Sequence, residues 1–287
     1  MTKTWFITGA GRGMGNDIAK AVLAAGHNVV ATGRNADDVS KAFEPSERLL
    51  VLRLDVTNRA DATTAVEAAL DRFGRIDVLL NNAASFHAGF FEDLMPDQME
   101  SQLATTLMGP MNVTLAVLPS MRANKYGRII TISSTASLTS FEFGTAYSAS
   151  KYGTDGFMEA LRLEVAPFGI ETMIVTPGFF RTELLTEAST SFAPSKIAEY
   201  AERREAYIGY WRSQNGKQSG DPAKLAQAIL TLDAQEKLPT RFLAGADAVM
   251  TAEQAIVKLQ GEIDAWRELS CSLDHDGAKP ARVGENN

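Results

Sequence analysis

The chain has 287 residues, 45% of them hydrophobic and 22% charged, enough to bury one large core or two small ones. A formal net charge of -7 argues against a general nucleic-acid binder or a protein held to acidic membranes by charge, though a local basic spot can still hold one phosphate. One cysteine, Cys271, and three scattered histidines, His27, His87 and His275, exclude an intrachain disulfide and argue against a thiolate or imidazole metal centre.

The first strand candidate, Thr4–Thr8, begins so early that no signal peptide is expected, and no apolar run approaches membrane-spanning length. A reducing cytoplasm is the expected compartment. Next comes Thr8-Gly9-Ala10-Gly11-Arg12-Gly13-Met14-Gly15. Glycines here let the backbone turn sharply and approach a pyrophosphate, while the N-terminus of the following helix offers unpaired N–H groups and positive potential. The spacing departs from GxGxxG, since Met14 stands where the third glycine belongs. It fits TGxxxGxG instead, through Gly9, Gly13 and Gly15. Gly9, Gly11, Arg12, Gly13, Met14 and Gly15 are therefore the candidate dinucleotide-binding turn.

The second strand candidate, Asn28–Thr32, runs into Gly33-Arg34. A fold that binds NAD places an acid near this point to hold the ribose hydroxyls. Gly33 stands there instead, and Arg34, with Arg12 from the glycine turn, can hold a 2′-phosphate. Despite Asp37 and Asp38 nearby, the reading favours NADP(H) over NAD(H).

Further strand candidates are Leu49–Leu54, Asp77–Leu80, Gly127–Ser133 and Ile170–Thr176. Several are too apolar to alternate, as in strands buried on both faces of a parallel sheet. The intervening stretches have helical length, and Gly26, Gly74, Gly127 and Gly169 stand where left-handed helix caps are wanted. Repeated strand–helix–strand order predicts an α/β fold, a doubly wound parallel sheet of Rossmann type. Tyr147 and Lys151 open a predicted helix, on one face at a four-residue offset. Tyrosine alone titrates near ~10; a neighbouring ammonium and a positive nicotinamide ring favour its phenolate. Ser134, at the end of the fifth strand, can donate a hydrogen bond to a substrate oxygen.

After Pro177-Gly178 the texture changes. Residues 183–216 carry Ile197, Tyr200, Tyr207, Ile208 and Trp211 at helical spacing and are read as a helical substrate lid, a packed helix or a subunit contact. Asp221-Pro222 opens another helix, Thr240–Ala244 is a strand candidate, and a C-terminal helix covers roughly 251–269. One catalytic domain over 1–273 is expected, with a disordered tail over 274–287.

In this order the motifs resemble the short-chain dehydrogenase/reductase family over roughly residues 3–182. The likeness rests on the glycine turn, Asp55-Val56, Asn81-Asn82-Ala83, Ser134, Tyr147 with Lys151, and Pro177-Gly178 followed by Thr182. It implies that Asp55 and Val56 border the adenine and that Asn81 and Ala83 line the cofactor cleft. Pro177, Gly178 and Thr182 would hold the nicotinamide amide. Tyr147 would transfer the proton, Lys151 would bind the nicotinamide ribose and depress the tyrosine pKa, and Ser134 would orient a carbonyl. The implied activity is hydride transfer between NADP(H) and a carbonyl or secondary alcohol. Phe86, Phe90, Phe91, Phe141, Phe143, Phe179 and Phe180 fall in the loops around the expected site; an apolar small molecule is the expected substrate, the alternative being that half of these rings are core. Helices near 97–123 and 145–168 resemble the family's dimer-forming pair, which implies a homodimer or homotetramer. Two departures stand out: Ala84 replaces a common glycine, and Thr106 takes the place of a fourth catalytic residue, an asparagine. Threonine keeps a hydroxyl but loses the amide's reach. The alternatives are a relay wired differently or slowed, a non-catalytic NADP(H) sensor, and dehydration or epimerisation with the same cofactor.

Overall fold

A computed structural model describes residues 2–186, 189–275, 277 and 278. The chain runs β1 (Thr4–Ile7), α1 (Gly13–Ala24), β2 (Asn28–Gly33), α2 (Ala36–Ser40), β3 (Leu49–Arg53), α3 (Arg59–Phe73), β4 (Val78–Asn81) and β5 (Phe86–Ala88). It continues through α4 (Pro96–Leu103), a π-helical turn over Ala104–Met108, α5 (Gly109–Asn124), β6 (Gly127–Ile132), α6 (Thr145–Val165) and β7 (Ile170–Pro177). The last elements are β8 (Thr190–Phe192), α7 (Ala201–Gln214), α8 (Pro222–Asp233), β9 (Arg241–Ala244) and α9 (Ala246–Cys271).

Seven strands form one parallel sheet in the order β3-β2-β1-β4-β6-β7-β9. Order reverses beside β1, which lies between β2 and β4, so a crevice opens beyond their carboxyl ends. Each strand alternates its side chains between two cores. Trp5 and Ile7 of β1 pack with Ile18 and Val22 of α1 and Ile229 of α8. Phe6 points the other way and joins Val66 of α3, Val117 of α5 and Met158 of α6. Burial on both faces is the reason the strands read as continuous apolar runs.

Gly26, Gly74 and Gly169 adopt positive φ, as their cap positions predict. Gly127 does not. Lys125, at φ 49, makes the left-handed cap of α5 instead, and Gly127 opens β6 with the Met121 side chain filling the space where a Cβ would stand. The strand read over Asp77–Leu80 lies one residue later, at Val78–Asn81, and the Asp77 carboxylate at its entry accepts a 2.8 Å hydrogen bond from the Thr4 N–H. α9 is longer at both ends than its apolar periodicity indicated. Over 183–216 the chain forms a 3₁₀ turn at Glu183–Leu185, then β8 and α7; β8 pairs in parallel with β5 as a separate two-stranded sheet. Residues 187 and 188 lie outside the described residues, as do Asp276 and residues 279–287 of the tail read as disordered. Among the described residues no helix is long and apolar enough to cross a membrane.

Candidate active site

A cleft of about 1060 Å³ lies beyond the carboxyl ends of the central strands. One end is built by the turn between β1 and α1. Gly9 (φ +66) and Gly13 (φ +56) hold backbone conformations that side-chain-bearing residues rarely adopt. Gly15 sits behind the turn, where a Cβ would run into the Gly9 carbonyl and the Asn82 amide. The Thr8 hydroxyl accepts hydrogen bonds from the N–H groups of Asn82 (2.9 Å) and Ala83 (3.0 Å). Asn82 in turn donates to the carbonyls of Thr8 (3.0 Å) and Gly9 (3.1 Å). The loops after β1 and β4 are thus stitched into one rigid floor.

Gly9, Gly11, Arg12, Gly13, Met14, Arg34, Asp55, Val56 and Ala83 line this half of the cleft. Asn81 does not. It is 2% exposed and its side-chain amide donates inward to the hydroxyls of Thr114 (3.2 Å) and Thr131 (3.3 Å). Strand alternation turns Asn81 into the core and leaves Asn82 at the surface of the cleft, so the lining role read for Asn81 passes to its neighbour. The Asp55 carboxylate accepts from the N–H (3.0 Å) and hydroxyl (2.8 Å) of Thr57, while Asn58 caps α3. Arg12 and Arg34 are exposed on the rim. Gly33 packs against Val39 of α2, whose Cγ2 lies 2.7 Å from where a Gly33 Cβ would stand. No side chain fits at Gly33 unless Val39 gives way.

The other half holds Ser134, Tyr147 and Lys151, with Pro177, Gly178 and Thr182 on the facing wall. Ser134 follows β6 and opens a 3₁₀ turn, and its hydroxyl is hydrogen-bonded to Tyr147. Tyr147 and Lys151 lie one turn apart on α6, with the lysine Nζ 5.6 Å from the phenol ring centroid. Lys151 donates a 2.8 Å hydrogen bond to the Ile132 carbonyl. Burial pushes its pKa down to about 8, partly opposed by the negative charge of Asp155. Burial also raises the Tyr147 pKa, and the Ser134 hydrogen bond works against the rise. The depressed tyrosine expected from the lysine is therefore not a property of these side chains alone; desolvation outweighs the serine's help.

Thr106 lies off the cleft. Its hydroxyl accepts from Gln102 Nε2 (2.8 Å) and the Ser85 N–H (3.3 Å), and its carbonyl accepts from the Thr154 hydroxyl (3.0 Å). Gln102, wholly buried, also accepts from the His87 N–H (2.9 Å) and donates to the Ser85 carbonyl (2.9 Å). Sequence reasoning missed Gln102; a polar residue amid helical polar neighbours carries no signal of burial. The π-helical turn over Ala104–Met108 delivers Thr106 to this network.

Aromatic rings close the cleft beyond Tyr147. Phe86 meets Tyr147 edge-on at 5.1 Å and Trp211 of α7 at 5.7 Å; Phe141 meets Trp211 at 5.5 Å, and Phe179 stacks on it at 5.9 Å. Of the seven phenylalanines read as surrounding the site, Phe86, Phe141, Phe179 and Phe180 line it. Phe90 and Phe143 are buried behind, and Phe91 is exposed.

The chain matches the family model described as short chain dehydrogenase over residues 3–192. It is 35% identical to oxidoreductase BOA17 of Botryotinia fuckeliana over 94% of this chain and 98% of that protein. It is also 35% identical to a 3-ketodihydrosphingosine reductase of Bacteroides thetaiotaomicron, over 83% of this chain and 86% of that one. The crystal structure of a short-chain dehydrogenase from Streptomyces avermitilis superposes with a TM-score of 0.86 at 35% identity, covering 95% of this chain and 98% of the other. Fold, glycine turn and sequence agree: the chain belongs to the short-chain dehydrogenase family of oxidoreductases, which use nicotinamide cofactors.

Proposed function

We propose that the protein transfers hydride between NADP(H) and an apolar ketone, aldehyde or secondary alcohol, with Ser134, Tyr147 and Lys151 as the acid–base site. The observation that carries the reading is one continuous cleft with the glycine turn at one end, Ser134, Tyr147 and Lys151 along it, and aromatic walls beyond. The positive-φ glycines line the cleft without side chains at the N-terminus of α1, which fits a bound pyrophosphate. The bound cofactor supplies or accepts the hydride.

The protein's own part is binding, orientation and proton handling. Gly9, Gly11, Gly13 and Met14 would hold the pyrophosphate end, with Asp55, Val56 and Ala83 along the adenine side. Arg12 and Arg34 would pair with a 2′-phosphate. The crowding of Gly33 by Val39 supports that choice, because it leaves no room for the carboxylate an NAD site would carry. Pro177, Gly178 and Thr182 would flank the nicotinamide. In the reducing direction the Tyr147 hydroxyl gives its proton to the substrate oxygen while Ser134 donates a hydrogen bond to the same oxygen. Lys151, buried and half-neutralised near pH 8, is poised to return a proton to the tyrosine. Phe86, Phe141 and Trp211 exclude water and favour apolar substrates, in keeping with a relative named for reduction of a ketone. Residues 183–216 carry part of that wall and act as the lid in this reading. Within the fold, α4, α5 and α6 are the helices proposed to pair copies of the chain.

The test is oxidation of NADPH with a panel of apolar ketones, wild type against Tyr147→Phe. The variant should bind the cofactor normally and lose at least about 100-fold in kcat. Equal rates would remove Tyr147 from proton transfer. Cofactor binding without turnover on any carbonyl would favour a sensor.

A further inference from the structure

The last helix stands apart from the rest of the molecule. At its start, α9 is held to the body: the Asp247 carboxylate accepts a 2.7 Å hydrogen bond from the Phe179 N–H, and Ala248 is buried. From Ile256 onward every described residue is exposed. The helix thus projects about 24 Å beyond its last packed turn. A single helix of that length is marginal in water without packing on one face.

The exposed stretch is not uniformly polar. Ile256 (68% exposed), Leu259 (58%), Ile263 (42%) and Trp266 (63%) alternate at spacings of three and four. Val249 and Ala252 continue the pattern backward, and Ser270 and Leu273 continue it forward. The repeat is seven residues, with Val249, Ile256, Ile263 and Ser270 at one seam position and Ala252, Leu259, Trp266 and Leu273 at the other. Val257 (71% exposed) and Leu269 (60%) flank this seam, and its seven-residue repeat is that of a left-handed coiled coil.

We propose that residues 256–271 of α9 pair in parallel with the same helix of a second copy of this chain. Three observations select this occupant. β-Branched Ile256 and Ile263 at the first seam position, with Leu259 at the second followed by the bulkier Trp266, favour two parallel strands. In that arrangement Glu262 flanks the seam opposite Arg267 of the other copy, so the two flanking charges are complementary twice over. The Asp264–Arg267 pair within each helix is exposed and does not hold Arg267 back. Finally, Lys258 and Arg267 are outweighed by Glu262, Asp264 and Glu268, so the stretch is slightly acidic and unsuited to an anionic lipid surface. Ser270, polar at a seam position, sets the register.

The decisive experiment places a cysteine on the seam. In full-length protein carrying Cys271→Ser, Ser270→Cys should form an interchain disulfide under mild oxidation at micromolar protein, since each first-seam residue faces its own copy. Ile256→Asp with Ile263→Asp should abolish the crosslink and lower the sedimenting mass, with the body's thermal transition retained; Val257→Asp, off the seam, should change neither. Glu262→Arg and Arg267→Glu should each weaken association, and the double exchange should restore it. Absence of the crosslink, or an unchanged mass in the seam variant, overturns the proposal. So does binding to phosphatidylglycerol vesicles that the seam variant loses while wild type sediments at the same mass.

Discussion

The Asp155 carboxylate accepts a 2.7 Å hydrogen bond from the Ser137 hydroxyl, tying the helix that carries Tyr147 and Lys151 to the turn that begins at Ser134. The same carboxylate takes the Ser133 hydroxyl and the Arg241 guanidinium. It is 6% exposed, so its loss leaves a partly buried arginine and two hydroxyls without their acceptor. Asp155→Ala should cost about 3 kcal/mol by denaturant unfolding. In the proposed reaction kcat should fall far more than KM rises, because the binding surfaces remain while the spacing of Ser134 and Tyr147 relaxes. Asp155→Glu recovering neither stability nor rate would fit this geometry; full activity in Asp155→Ala would sink it.

Lys151 supplies a pH prediction with a definite sign. Its pKa is lowered from 10.5 to about 8, so between those values the unfolded chain binds more protons than the folded one. Stability linked to this group is therefore present above pH 10.5 and is lost as pH falls through about 8. The cost of keeping the ammonium buried is on the order of 3 kcal/mol. Lys151→Met should thus raise stability at pH 7, and its advantage should shrink as pH rises toward 10.5. Tyr147 titrates in the opposite sense, its pKa raised by burial, so the comparison belongs in a Tyr147→Phe background. Amine labelling followed by mass spectrometry should show Lys151 becoming reactive near pH 8; onset above pH 10 would contradict the burial argument.

What could be read from the chain was whatever local spacing encodes. Gly9 and Gly13 announced their backbone conformations because side-chain-bearing residues seldom take positive φ, and β6 and β7 announced two-sided burial by running apolar. What escaped depends on segments far apart in sequence. β5 and β8 are three residues each and acquire meaning only by pairing across about a hundred intervening positions. Asn81 and Asn82 are chemically identical, and only strand register turns one inward and one toward the cleft. Gly127 was attributed to a cap, but its function is room for Met121. Trp211 stood out as part of an apolar stripe, though nothing local joins it to Phe86 and Phe141.

The contact between Gly33 and Val39 turns cofactor choice into an experiment. Arg34→Ala should weaken NADPH by about 1.5–3 kcal/mol, the range for a charged hydrogen bond, while barely affecting NADH. Gly33→Asp alone should bind neither cofactor well, because the new side chain collides with Val39. Combined with Val39→Ala, it should shift preference toward NADH. Titration of protein fluorescence with both cofactors separates the outcomes. Equal losses for the two in Arg34→Ala would refute the phosphate assignment.

Thr106 is the departure that most invites repair toward the family pattern, and the structure predicts that repair fails. The residue is 2% exposed, with its hydroxyl engaged by Gln102 and Ser85 and its carbonyl by Thr154. An asparagine side chain, of similar volume, reaches further from the backbone and brings a second polar group toward space that Gln102 already fills. Thr106→Asn should therefore lose about 1–3 kcal/mol of stability through overpacking and gain nothing in kcat. Pairing it with Gln102→Ala, which vacates the neighbouring volume, should return part of the stability. A single Thr106→Asn variant that turned over faster with an unchanged melting temperature would show instead that threonine limits proton delivery, and that Gln102 is only a packing partner.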